Sequence, residues 1–131
     1  MTTENNQENR QYITPDCYVI PEQRVIVNQD KVSKRLAEQP WRLLNCLLKN
    51  PGKVSPYKTM KIEIWGDPVH ENLKVGILLR RIKLAMQEVG IDEATFYSIF
   101  QMVLGKGYRF KPQLPPAPGG KKKKGELSGK A

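Results

Sequence analysis

Residues 71–88, ENLKVGILLRRIKLAMQE, carry aliphatic side chains at helical spacing on two opposite faces. At about 100° per residue, Val75, Leu79, Ile82 and Met86 cluster on one side, and Leu78, Ala85 and Val89 widen that cluster. Opposite them stand Leu73, Ile77, Arg80, Arg81 and Leu84, with Lys74 and Lys83 at the margins. The first face demands a core built by other elements. The second keeps apolar groups and positive charge together, so a fold that accommodates this helix must leave that face free for something else.

Charge narrows what that something is. The 131 residues suit one domain, and 22 Lys plus Arg against 13 Asp plus Glu leave a net charge of +9. Such a balance favours a polyanion, either nucleic acid or an anionic membrane surface. Residues 17–110 hold 15 basic and 9 acidic side chains, so the central part is basic without its ends. Cys17 and Cys46 lie in apolar runs at a spacing that matches no zinc pattern, and are read as reduced, buried thiols in a reducing cytosol. The N-terminus lacks the apolar region of a signal peptide, and no run approaches the ~20 residues of a membrane span. His70 has no second histidine or cysteine motif near it and is read as a loop residue. No metal, cofactor or catalytic group is indicated: there is no nucleophile with a base and no phosphate-cradling glycine loop, and the expectation is a non-enzyme.

The chain divides in three. Residues 1–15 are polar and are expected to form a flexible leader, 16–111 the folded domain, and 112–131 a Pro/Gly/Lys-rich tail or linker containing Lys121–Lys124. Within the domain, CYVI and RVIV, separated by PEQ, predict an antiparallel pair, to which KVSKR adds a strand. AEQPWRLLNCLLKNPG predicts a helix with Pro40 in its first turn, stopped by Asn50-Pro51-Gly52. A second helix is expected from Ser55, as N-cap, to about Trp65, ended by Gly66-Asp67-Pro68. The third is the 71–88 stretch, ending near Gly90. FYSIFQMV and YRFK flank LGKG and predict a β-hairpin. The fold class is therefore α+β: N-terminal antiparallel strands, three helices and a C-terminal hairpin.

That order, with RLLNCLLKNPGKV, IWG, the basic third helix and GKGYRF, resembles the winged-helix DNA-binding domain of the OmpR/PhoB type over residues 17–110. The resemblance implies a bacterial, cytoplasmic transcription regulator with a helix-turn-helix. The third helix would lie in the major groove of double-stranded DNA and the hairpin, or wing, near a minor groove. It also implies RNA polymerase as a partner of the 66–72 loop and a second copy of the chain on DNA. The DNA-contacting set so identified is Lys74, Ile77, Arg80, Arg81, Lys83 and Leu84 on the third helix, Lys106 and Arg109 in the wing, and Trp65 and Lys53 near the DNA backbone. Trp65 is at the same time a packing residue, and Tyr108 is read as a core anchor. Arginine and lysine suit phosphates and guanine edges, while aliphatics suit the thymine methyl, and Ile77 matches such a position.

The sequence departs from the family at Gly76 and Leu78, where polar base contacts are usual, and at Leu104, where a wing arginine is usual. Fewer discriminating contacts imply a large phosphate share in binding, with specificity sharpened by dimerisation or DNA shape. With no receiver domain ahead of the winged helix, the expected arrangement is ToxR/CadC-like. The chain is then either the cytoplasmic domain of a membrane-anchored regulator or a free-standing small one. A competing reading makes it an adaptor, docking a protein through Leu73, Ile77 and Leu84.

Overall fold

The computed structural model describes residues 9–113. Strands β1 (Gln11–Tyr12), β2 (Cys17–Ile20), β3 (Val25–Asn28) and β4 (Val32–Arg35) form an antiparallel meander in that order. Pairing of Val19 with Ile26 turns Cys17, Val19 and Ile26, all fully buried, toward the helices. The alternate residues Tyr18, Ile20 and Val27 make a small second cluster on the other face of the sheet. Tyr18 is covered there by the Tyr12 ring, 5.2 Å away, and by the Arg10 guanidinium, and its hydroxyl donates to Asp30 at 2.6 Å.

Order begins earlier than the expected residue 16. β1 and the fully buried Ile13 lie inside the stretch read as a flexible leader, and the Gln113 N–H donates to the Ile13 carbonyl at 2.8 Å. Tyr12 and Ile13, adjacent in an otherwise polar stretch, set up no periodicity, so pairing with β2 was invisible. Residues 1–8 and 114–131, with most of the expected leader and tail, lie outside the described residues.

Helix α1 (Glu38–Leu48) carries Pro40 in its first turn and buries Leu43, Leu44 and Leu47. Strand β5 (Val54–Pro56) follows, then α2 (Tyr57–Trp65), closed by Gly66 at φ 86°, a conformation that costs a residue with a Cβ more than it costs glycine. Ser55 is not the N-cap expected of it. It pairs with Tyr108 inside β5, its hydroxyl is buried with no hydrogen-bond partner among the described residues, and Pro56 takes the cap position. The sheet claims Ser55's backbone, which moves the helix start by about one residue.

Helix α3 (Asn72–Glu88) packs on α1 and runs through the middle of the domain. Its C-terminus is tied to β3, where the Asn28 side-chain amide donates to the Val89 carbonyl at 2.8 Å. A fourth helix, α4 (Glu93–Ile99), then replaces the first half of what was expected to be a strand from Phe96. Asp92 caps it, its carboxylate accepting from the Thr95 N–H at 2.7 Å, and Phe96 and Ile99 face the core. β6 (Phe100–Val103) and β7 (Gly107–Phe110) form the wing, with β5 as third strand in the order β5-β7-β6. Gly105, at φ 75°, makes the turn between them. Phe100 and Phe110 stack across the hairpin, 5.3 Å apart, and fix its base to the core.

Candidate nucleic-acid interface

The phase of α3 read from periodicity is the phase observed. Val75, Ile82 and Met86 are fully buried and Leu78, Leu79 and Ala85 nearly so. On the opposite side Leu73, Lys74, Ile77, Arg80, Arg81 and Leu84 are all exposed. None of Lys74, Arg80 and Arg81 forms an ion pair with any described residue, whereas Lys34, Arg42 and Lys49 elsewhere do. The positive charge on this face is therefore not offset by a carboxylate of any described residue. Leu78, one of the departures, is core, and Gly76 backs onto the Tyr108 hydroxyl, 3.6 Å from where a Cβ would stand.

Lys83 behaves differently from its neighbours. Its ammonium donates to Glu93 at 2.8 Å and to the Tyr97 hydroxyl at 3.0 Å, and its side chain is only 11% exposed. The hydrogen bond to Glu93, then that to Tyr97, raises its pKa above the ordinary lysine value. Periodicity placed Lys83 at the margin of the face, and α4 draws it to the wing side, with its charge already partnered.

In the wing, Lys106 is exposed beside the turn, and its carbonyl accepts from the Tyr57 N–H at the start of α2. Arg109 is half-buried on β7, its Nε donating to Gln101 at 3.1 Å directly across the hairpin. Lys53 precedes β5, and since Val54 pairs with Arg109 and Pro56 with Gly107, it lies at the end of the sheet away from the wing tip. Its side chain is exposed, but the fold does not gather it with Lys106. Trp65 is half-buried against the core and meets His70 at a ring separation of 4.2 Å, so His70 serves to hold the loop leading into α3. That loop exposes Val69.

Two of the concavities along the free face of α3 lie on its loop side and its wing side. One, of 560 Å³, is bordered by Trp65, His70, Lys74, Ile77 and Arg81 together with the start of α1. The other, of 330 Å³, lies toward the wing and is bordered by Arg80, Lys83, Tyr97 and Met102. Sequence reasoning missed Tyr97 because FYSIFQMV looked like a strand, and Glu93 because it lay just ahead of that segment with no helix assigned to it. The available signal was Asp92, an N-capping residue placed four before Phe96. Among the described residues no group of three or more His, Cys, Asp or Glu side chains is placed to hold a metal ion.

No protein-family model matches the sequence, and no curated protein does. Solved structures do match. The DNA-binding domain of Escherichia coli CadC superposes with a TM-score of 0.62 at 16% identity, over 82% of this chain and 95% of that one. The DNA-binding domain of E. coli CpxR gives 0.60 at 14% identity, over 76% and 93%. The DNA-binding domain of the response regulator AdeR, solved in complex with an intercistronic region, gives 0.59 at 14%, over 74% and 95%. These likenesses establish the winged-helix fold of the OmpR/PhoB-type domains.

Proposed function

We propose that a chain with this fold and this charged face is the DNA-binding part of a bacterial transcription regulator. The observation that carries the reading is the exposed face of α3, where Lys74, Arg80 and Arg81 form no ion pair with any described residue and stand among Ile77, Leu73 and Leu84. In this reading α3 enters the major groove of double-stranded DNA, the arginines reach phosphates and base edges, Ile77 meets a thymine methyl, and Lys106 brings the wing to the neighbouring backbone. CadC, CpxR and AdeR supply structures of DNA-binding domains with the same arrangement of elements.

The finer assignments are part of the same proposal. The exposed 66–72 loop is the surface for RNA polymerase, a second copy binds an adjacent half-site, and Lys121–Lys124 add sequence-independent attraction to phosphate. The protein works in the cytoplasm, either alone or as part of a membrane-anchored regulator. Among the described residues no helix is long and apolar enough to cross a membrane.

Gel-shift titration against a pool of duplexes tests the proposal. Arg80→Ala and Arg81→Ala should each weaken binding, and affinity should fall steeply with salt as counterions are released. If both variants fold and bind like the parent, α3 is not the reading element. Binding to a protein partner that is indifferent to salt, with no binding to DNA, would establish the adaptor instead.

A further inference from the structure

A helix about 10–12 Å across, lying in a major groove about 12 Å wide, has a sugar-phosphate backbone close on each side. The wing-side concavity beside α3 is where one of those strands would pass, and it contains an uncommitted donor. Tyr97 is half-exposed although it is aromatic and stands on a short core-facing helix. Its hydroxyl oxygen already accepts from the Lys83 ammonium at 3.0 Å. A tyrosine hydroxyl has one proton to give, and among the described residues that proton has no acceptor. Accepting from a cation polarises the O–H group and makes it a stronger donor.

We propose that Tyr97 is a DNA-backbone contact, donating its phenolic proton to a phosphate oxygen seated between α3 and the wing. The inference rests on the DNA-binding reading above and adds a residue that the recognition helix itself does not carry. Glu93, 2.8 Å from Lys83, holds the ammonium against the hydroxyl, while Lys83 offsets the carboxylate's repulsion of the phosphate. Arg80, on the same border of the concavity, supplies the unpaired charge that draws the backbone in.

Fluorescence anisotropy with a labelled duplex, run over a series of salt concentrations, tests the assignment on the full chain. Tyr97→Phe should bind about 10- to 100-fold more weakly, as fits the loss of one hydrogen bond to a charged group. The slope of log K against log salt should stay unchanged, because a neutral donor releases no counterion. Glu93→Gln, which removes a negative charge facing the phosphate, should bind about 2- to 3-fold more tightly. Tyr97→Phe binding within about twofold of the parent overturns the proposal. So does a slope that falls by about one unit with the affinity, since the hydroxyl would then only have held Lys83 in place. Should Tyr97→Phe melt early, Glu93→Gln decides: tighter binding supports the phosphate seat, and unchanged binding overturns it. If the parent binds no duplex at all, the underlying reading falls, and the Tyr97 assignment falls with it.

Discussion

Replacing Ile77 by alanine separates the two faces of α3 in one experiment. Ile77 is 47% exposed, so close to half of its side chain remains to be covered by a partner. Complete burial of an isoleucine side chain stabilises by about 1.5–3 kcal/mol, so covering the free half is worth roughly 0.7–1.4 kcal/mol. That corresponds to about a 3- to 10-fold loss of affinity on truncation. Folding should change far less than it does for Leu79→Ala, whose side chain is almost wholly buried on the opposite face. A buried leucine truncation costs about 2–5 kcal/mol. The assay pairs thermal melts with binding to two duplexes, one carrying the preferred site and one with uracil in place of the contacted thymine. Ile77→Ala should lose affinity on the first and match the parent on the second, because uracil lacks the methyl group. An equal loss on both duplexes refutes the methyl contact, and a melt as low as that of Leu79→Ala refutes the helix phase.

Other consequences are open to direct measurement. A Cβ on Gly107 would stand 2.0 Å from the Ser55 carbonyl oxygen, so Gly107→Ala must push β5 off β7. It should cost at least about 1–3 kcal/mol in chemical denaturation, and a midpoint equal to the parent's would show that the sheet absorbs the change. Asp92 has its carboxyl pKa lowered from 3.8, chiefly by the hydrogen bonds from Thr95. Its contribution to stability is therefore present above the unfolded value and is lost as pH falls through the lower folded one. Asp92→Ala should melt below the parent at pH 7, and the gap should close in acid; a gap that persists there contradicts the capping role. Burial pushes the Cys17 thiol up to about 12 and the Cys46 thiol, with help from Glu63, up to about 11. Both should resist an aromatic disulfide reagent at pH 8 until denaturant is added, and prompt reaction of the native protein would contradict their placement in the core.

What the sequence determined by itself was whatever depends on near neighbours along the chain. The spacing of Val75, Leu79, Ile82 and Met86 set the face α3 buries, and the Gly66 and Gly105 breaks fell where positive φ is used. The short β-branched runs CYVI and RVIV, separated by PEQ, specified strands that indeed pair. The exposed set Lys74, Ile77, Arg80, Arg81 and Leu84 followed from the same periodicity, since a residue on the far side of a half-buried helix needs no further information to be placed.

Tertiary structure decided the cases in which two local preferences competed or a partner came from far away. Phe96, Tyr97 and Ile99 have strand-like side chains, yet Asp92 caps a helix there because Phe96 and Ile99 can both reach the core only at helical spacing. Ser55 could cap a helix or pair in a sheet, and the backbone of Tyr108, 53 positions later, settled it. Lys83 has the same chemistry as Lys74, but a carboxylate ten residues on and a hydroxyl fourteen residues on take up its ammonium. Such pairings depend on how α4 folds back over α3, and a hydrogen bond between distant residues leaves no periodic trace in the chain.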